Sequence, residues 1–82
     1  MDIEKLVIYT LTTHLGVPEG EIKTNMTLRG DLLCDSIDDI EILMDLEDSL
    51  MIELHTLGRG LSNLNYTVGD LIQNIETLVG EH

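Results

Sequence analysis

The chain has 82 residues, of which sixteen are Asp or Glu and four are Lys or Arg, so its formal net charge at pH 7 is −12. This length predicts a single domain over residues 1–82, with no room for an enzyme cleft that encloses its substrate. The acidic charge argues against binding nucleic acid or anionic membrane surfaces, which both attract basic proteins, and favours basic protein partners.

The sequence shows no segment that would direct the chain into a membrane or out of the cell. The first residues, M-D-I-E-K, lack the basic stretch and apolar run of a signal peptide, and no apolar run approaches the roughly 20 residues of a bilayer span. Cys34 is the only cysteine, which excludes an internal disulfide and fits a reducing compartment. We therefore expect a cytoplasmic monomer without membrane insertion.

The first predicted element is an amphipathic helix between Asp2 and Gly16. Asp2 is a favoured N-cap, and Gly16 favours the left-handed conformation that ends many helices. Pro18 prevents the helix from continuing. The apolar residues that recur at helical spacing are Ile3, Leu6, Val7, Leu11 and Leu15.

Residues 16–35 form a long connection between this helix and the next. A connection near 20 residues is unusual in a compact domain and is either disordered or functional. Regularly placed apolar side chains favour an ordered loop that crosses the helix ends. The residues expected to anchor it are Val17, Ile22, Met26, Leu28, Leu32 and Leu33.

The central helix is predicted from Ser36 to about Leu50. Ser36 and Asp39 match a capping box in which Ser36 is the N-cap. One apolar side of the helix comprises Ile42, Leu43, Leu46 and Leu50. A second apolar side, roughly 140° away on the helical wheel, comprises Ile37, Ile40 and Met44. One side suffices to pack a helix into a small bundle, so we expect the second to be an exposed binding surface; the alternative is that it adds to the core.

Acidic residues are concentrated on and around this helix. Eight of the sixteen acids lie between Asp31 and Asp48, and no Lys or Arg occurs between Gly30 and Gly58. A charge run is usually a solvated face, but solvated helices normally mix charges of both signs. We therefore expect some interaction to offset the repulsion.

The rest of the chain ends in a further helix. The sequence Gly58-Arg59-Gly60 is expected to break regular structure, and residues 61–64 are long enough for only one helical turn. Thr67 and Asp70 match a second capping box, which predicts a helix up to Gly80. No sustained strand alternation occurs. The sequence thus predicts an all-α fold, a small four-helix bundle of three long helices and one short third helix.

Three other kinds of functional site are not supported. A calcium-binding loop would need Gly where Ser36 stands and a bidentate Glu where Ile42 stands. The histidines His14, His55 and His82 lie far apart in sequence without Cys or acidic partners at ligand spacing, so no metal site is assigned. A catalytic serine is not supported either, because no G-x-S-x-G elbow is present. We expect no catalytic residue and no enzyme.

The sequence around Ser36 resembles the signature of acyl carrier proteins. Asp35-Ser36-Ile37 is similar to the D-S-L of that family, and the acidic helix that follows has its pattern of Asp38, Ile40-Glu41, Met44 and Leu46-Glu47-Asp48. The first helix, the long loop, this helix and the closing T-V-G-D-L-I helix also come in the family's order. The resemblance covers most of the chain.

The resemblance implies a carrier function in fatty acid or related, polyketide-type biosynthesis. In this family a phosphopantetheinyl transferase moves 4′-phosphopantetheine from coenzyme A to the serine, and acyl groups are carried as thioesters on the terminal thiol. Ser36 would be the attachment point as well as the cap. Basic patches on the transferase and on acyl-transfer or synthase enzymes would contact Asp35, Ile37, Asp38, Ile40, Glu41, Met44, Glu47 and Asp48.

An alternative function and several departures from the family pattern accompany this resemblance; one is Leu50, where the family often has Phe. The alternative is an unmodified acidic interaction module of the same fold, which binds a basic partner through the second apolar side. Leu33-Cys34 stands where the family has small residues, and a packed, inert Cys34 thiol is expected. Residues 51–65 differ from the family's acidic stretch and carry Arg59 instead, which indicates a specialised carrier.

Overall fold

The computed structural model describes residues 1–81, so His82, one of the three histidines considered above, lies outside the described residues. Four α-helices form the bundle: α1 (Ile3–Leu15), α2 (Ser36–Leu50), α3 (Gly58–Leu61) and α4 (Val68–Gly80). Short 3-10 turns lie at Glu19–Glu21 and His55–Leu57. The predicted all-α bundle with one short third helix is confirmed. Within the described range, no helix is both long and apolar enough to cross a membrane.

The ends of α1 and α4 follow from their sequences. Asp2 Oδ1 accepts a hydrogen bond of 3.1 Å from the Lys5 N–H and caps α1, and Gly16 ends that helix at φ 72°. Thr67 Oγ1 accepts a bond of 3.0 Å from the Asp70 N–H, while the Asp70 carboxylate accepts one of 3.0 Å from the Thr67 N–H. The predictions for these caps are confirmed.

The long loop is ordered, as predicted, because it is joined to the start of α4. Three backbone hydrogen bonds make this junction: Leu28 N to Tyr66 O at 3.1 Å, Val68 N to Met26 O at 2.9 Å and Gly69 N to Thr24 O at 2.8 Å. A Cβ at Gly69 would lie 3.1 Å from the Thr24 carbonyl oxygen, so this close approach favours glycine. Ile22 and Leu28 bury their side chains beneath the loop.

Leu33 does not anchor the loop, and this prediction was wrong. Its side chain is 78% exposed, and its backbone adopts φ 59°. The chain reverses here so that Cys34, rather than Leu33, enters the core, and the Cys34 N–H donates to the Leu28 carbonyl at 2.8 Å. A left-handed conformation is unfavourable for a leucine, by about 1–2 kcal/mol, so neighbouring contacts hold this segment.

Aliphatic side chains build the core at the junction of all four helices. The fully buried ones include Val7, Leu11, Ile42, Leu46, Leu61, Leu71 and Ile75. Tyr66 is the buried aromatic residue, and its hydroxyl accepts a hydrogen bond of 2.8 Å from Asn74 Nδ2. This arrangement leaves one face of α2 against the other helices and the opposite face in solvent.

The third helix lies where the sequence predicts a break. Gly58, Arg59 and Gly60 are helical and lead to Leu61, which is fully buried. Gly60 lies against the Tyr66 ring, where an added Cβ would come within 3.2 Å of a ring carbon. Burial of Leu61 and this close contact outweigh the weak helix propensity of glycine, and residues 62–65 form turns instead of the predicted helical turn.

Candidate functional site

Ser36 is the first residue of α2 and is exposed, but it is not the N-cap. Asp35 is the cap, since its backbone is extended and its Oδ1 accepts a hydrogen bond of 2.9 Å from the Asp38 N–H. Asp38 Oδ2 accepts one of 3.0 Å from the Asp35 N–H and completes the capping box. The predicted box between Ser36 and Asp39 was therefore wrong by one residue, because Asp39 points into the protein.

Because Asp35 is the cap, the hydroxyl of Ser36 and the first backbone N–H groups of α2 have no partner in the described part of the fold. Within the described residues, the Ser36 hydroxyl makes no hydrogen bond, and the backbone N–H groups of Ser36 and Ile37 are used neither by the helix nor by the cap. Free N–H groups and the helix dipole favour a negative charge at this end of a helix. The first turn thus combines an accessible nucleophilic oxygen with two free donors.

Beneath the first turn, the buried Asp39 forms an ion pair with the largely buried Arg29. Arg29 Nη1 lies 2.9 Å from Asp39 Oδ1 and Nη2 lies 2.6 Å from Oδ2, and Nη1 also donates to the Cys34 carbonyl at 3.1 Å. The two side chains are only 16% and 6% exposed. The hydrogen bonds to Asp39 raise the pKa of Arg29. This pair provides part of the favourable interaction that we expected to offset the repulsion among the acids around α2.

A second basic group approaches the same turn from α1. His14 Nε2 lies 3.2 Å from Asp38 Oδ1 and 3.6 Å from Glu41 Oε2. The hydrogen bond from the Asp35 N–H, together with the one to His14, lowers the pKa of Asp38. The spacing along the sequence indicated no acidic partner for His14. The packing of α1 against α2 brings Asp38 and Glu41 close to it.

The second apolar side of α2 faces solvent, as predicted. Ile37, Ile40 and Met44, which we call the docking stripe, are 64%, 60% and 56% exposed. The alternative that they add to the core is therefore wrong. An exposed row of aliphatic side chains with acids around it has the composition of a transient interface.

The acids predicted to contact partners divide into two groups. Asp35, Glu41 and Asp48 are exposed. Asp38 and Glu47 are half-buried and make internal bonds: Asp38 belongs to the capping box, and Glu47 Oε2 accepts a hydrogen bond of 2.7 Å from the Leu54 N–H. The structure therefore gives Asp38 and Glu47 a role in the fold, as it does the exposed cap residue Asp35.

Comparison with known proteins assigns the family. No family model matches the chain. A curated acyl carrier protein from Prochlorococcus marinus (strain MIT 9515) is 32% identical over 80 residues, which cover 96% of this chain and 95% of that protein.

The chain belongs to the acyl carrier protein family. Membership gives it a carrier role, and acyl carrier proteins interact with acyl-processing enzymes. The exposed first turn of α2 and the docking stripe are the features of the fold that fit such a role.

The two bulky residues before Asp35 and Ser36 occupy opposite environments in this chain. Leu33 is exposed, whereas Cys34 is buried, and burial, followed by the nearby Asp38 and Asp39, raises the pKa of the Cys34 thiol to about 11. Because the thiolate is the reactive form, the buried thiol is expected to be inert.

We expect iodoacetamide at pH 8 to alkylate Cys34 far more slowly in the native protein than in urea. A thiol pKa of about 11 in place of 9.0 lowers the thiolate fraction at pH 8 about a hundredfold, and burial slows access further. Mass spectrometry over time measures both rates. Equal rates in the folded and unfolded protein would show that the thiol is accessible.

Sequence reasoning missed the basic residues that support the site. Asp39 precedes Ile42 by three residues and Leu46 by seven, which places it on the buried side of α2. That spacing indicates a buried acid that needs a partner. No sequence pattern identifies Arg29 as this partner, because the contact depends on the path of the loop.

Proposed function

We propose that this protein carries acyl groups as thioesters on a 4′-phosphopantetheine group attached to Ser36, in fatty acid or related, polyketide-type biosynthesis. The observation that carries the proposal is the free, exposed hydroxyl of Ser36 at the first turn of α2. In the acyl carrier protein family, the serine of the D-S-L sequence is the one that is modified. The chain itself catalyses no step in this scheme.

The residues at the start of α2 fit a phosphodiester. The free N–H groups of Ser36 and Ile37 and the positive end of the helix dipole would stabilise its single negative charge. Asp35 would hold the first turn in place through its capping bonds. The terminal thiol of the bound group would supply the thioester chemistry, while Ser36 provides only the point of attachment.

The docking stripe and the exposed acids would present the carrier to its enzymes. Basic patches on the phosphopantetheinyl transferase and on acyl-transfer or synthase enzymes complement Asp35, Glu41 and Asp48. Charges at the rim of an interface mainly accelerate association, whereas apolar contacts at its centre supply affinity. Ile37, Ile40 and Met44 would be that centre.

Ile40→Ala is expected to raise the KM of a phosphopantetheinyl transferase for this protein about tenfold, the effect of removing one apolar contact at the centre of an interface. Alanine is a strong helix former, so α2 remains folded. Leu64→Ala removes an aliphatic side chain outside the stripe that is even more exposed than Ile40, and it should leave the KM unchanged. Similar KM values for both variants would argue against docking through the stripe.

The attachment of phosphopantetheine to Ser36 is tested by mass spectrometry of the intact protein. The protein is incubated with coenzyme A, magnesium and a broad-specificity phosphopantetheinyl transferase, and its intact mass is measured before and after. We expect the mass to rise by one phosphopantetheine group in the wild type and to stay constant in Ser36→Ala. Absence of the rise would favour the unmodified interaction module, and a rise that survives Ser36→Ala would place the attachment elsewhere.

A further inference from the structure

We propose that Arg29 is a positioning residue for the modification of Ser36; this inference rests on the proposed function. Its guanidinium contacts the chain on both sides of the serine. It donates to the Cys34 carbonyl, two residues before Ser36, and it binds the Asp39 carboxylate, three residues after it. One side chain therefore connects the end of the loop to the first turn of α2.

The geometry of these contacts is that of a strong, directional interaction. Two parallel N–H···O bonds join the guanidinium to Asp39, at 2.9 and 2.6 Å, and a third bond of 3.1 Å reaches the Cys34 oxygen. The guanidinium is planar and rigid, so these three bonds fix direction as well as distance. We call this set of bonds the Arg29 brace.

The segment before Ser36 needs such support. Leu33 is exposed and holds an unfavourable left-handed backbone conformation. Its neighbour Cys34 makes one backbone hydrogen bond, to Leu28, and accepts the bond from Arg29. Without the brace, only the capping box and His14 hold this turn; segments with few contacts open locally at low cost, so loss of the brace would leave the first turn ordered only part of the time.

Partial order at the first turn has a specific kinetic signature. A transferase binds Ser36 in one conformation, and its apparent affinity falls by the fraction of carrier molecules in that conformation. Once bound, the serine is in place, so turnover is unaffected. Loss of the brace should therefore raise the KM for the carrier and leave kcat unchanged.

A different result is expected if the Arg29–Asp39 ion pair only stabilises the fold. Replacing a buried ion pair by apolar residues of similar volume commonly preserves stability, so Arg29→Met/Asp39→Leu should fold. The double variant has no side-chain donor for the Cys34 carbonyl. If the pair only stabilises the fold, the double variant is modified like the wild type; if Arg29 positions the segment, it is not.

The experiment compares kcat and KM for the transferase on the apo protein at saturating coenzyme A. We expect Arg29→Met/Asp39→Leu to raise the KM about tenfold, as for a first turn that is ordered one tenth of the time, with kcat within about twofold. Asp2→Ala, which loses the cap at the start of α1, the opposite end of that helix from His14, serves as the control and should keep the wild-type KM. A wild-type KM in the double variant overturns the proposal.

Two further measurements keep the test decisive. Arg29→Lys retains the charge but lacks the planar pair of N–H donors of the guanidinium, so it should also raise the KM. A wild-type KM in Arg29→Lys would count against the brace even if the double variant failed to fold. Amide hydrogen exchange at Asp38 and Asp39 should be at least about tenfold faster in the variants, because a first turn that is ordered one tenth of the time is open for most of the time. If the wild type gains no mass, the proposed function fails, and the exchange rates alone decide whether the brace orders the first turn.

Discussion

Ser36→Ala is expected to abolish the mass gain while leaving the melting temperature within about 2 °C of the wild type. The hydroxyl makes no hydrogen bond within residues 1–81, and the capping box uses Asp35 and Asp38 instead. Alanine is well accommodated in a helix. The variant thus removes the proposed attachment point without removing a contact of the fold, which thermal unfolding followed by circular dichroism can verify.

Asp35→Ala is the matched variant one residue earlier. It removes an N-cap, which costs about 1 kcal/mol and lowers the melting temperature of a domain of this size by roughly 4–8 °C. Asp35→Asn retains a good capping side chain and should lose much less. If Ser36→Ala lowered the melting temperature as far as Asp35→Ala, the serine hydroxyl would be part of the cap and the assigned register would be wrong.

Arg29→Met alone is expected to lower the free energy of unfolding by about 3–5 kcal/mol. It leaves the Asp39 carboxylate buried without its partner, and removal of one member of a buried ion pair has a cost of this size. The free energy of unfolding of the whole domain is expected to be roughly 4–12 kcal/mol, at about 0.05–0.15 kcal/mol per residue. The single variant should therefore be close to unfolding at room temperature.

Urea unfolding of three variants separates the causes. Arg59→Met makes the same change of residue at an exposed position of α3, and we expect it to change stability by less than about 0.5 kcal/mol. Arg29→Met/Asp39→Leu should recover most of the loss, because no charge remains buried and unpaired. A loss in Arg59→Met as large as in Arg29→Met would indicate that net charge, and not the ion pair, sets the stability.

Local patterns predicted the elements that depend on local interactions. The caps at Asp2 and Thr67, the stop at Gly16 and the extent of α2 all follow from contacts between residues near in sequence. The exposed docking stripe followed from periodicity, since a helix in so small a bundle needs only one buried side.

The features that were missed depend on contacts distant in sequence. Helix α3 forms through glycines because Leu61 is buried and Gly60 lies against Tyr66. The one-residue error at the start of α2 arose because Asp35 and Ser36 are equally good caps. In the structure Asp39 is buried and bonded to Arg29, and Asp38 completes the capping box instead.

The junction between the loop and α4 has a consequence for how the chain folds during synthesis. The segment that leads to Ser36 is joined by backbone hydrogen bonds to Tyr66, Val68 and Gly69. A nascent chain that has not yet reached these residues lacks the partners that order the loop. Under the proposed function, Ser36 would therefore be presented in an ordered first turn only after Tyr66, Val68 and Gly69 have been synthesised, so synthesis of the start of α4 and readiness for modification would be linked in time.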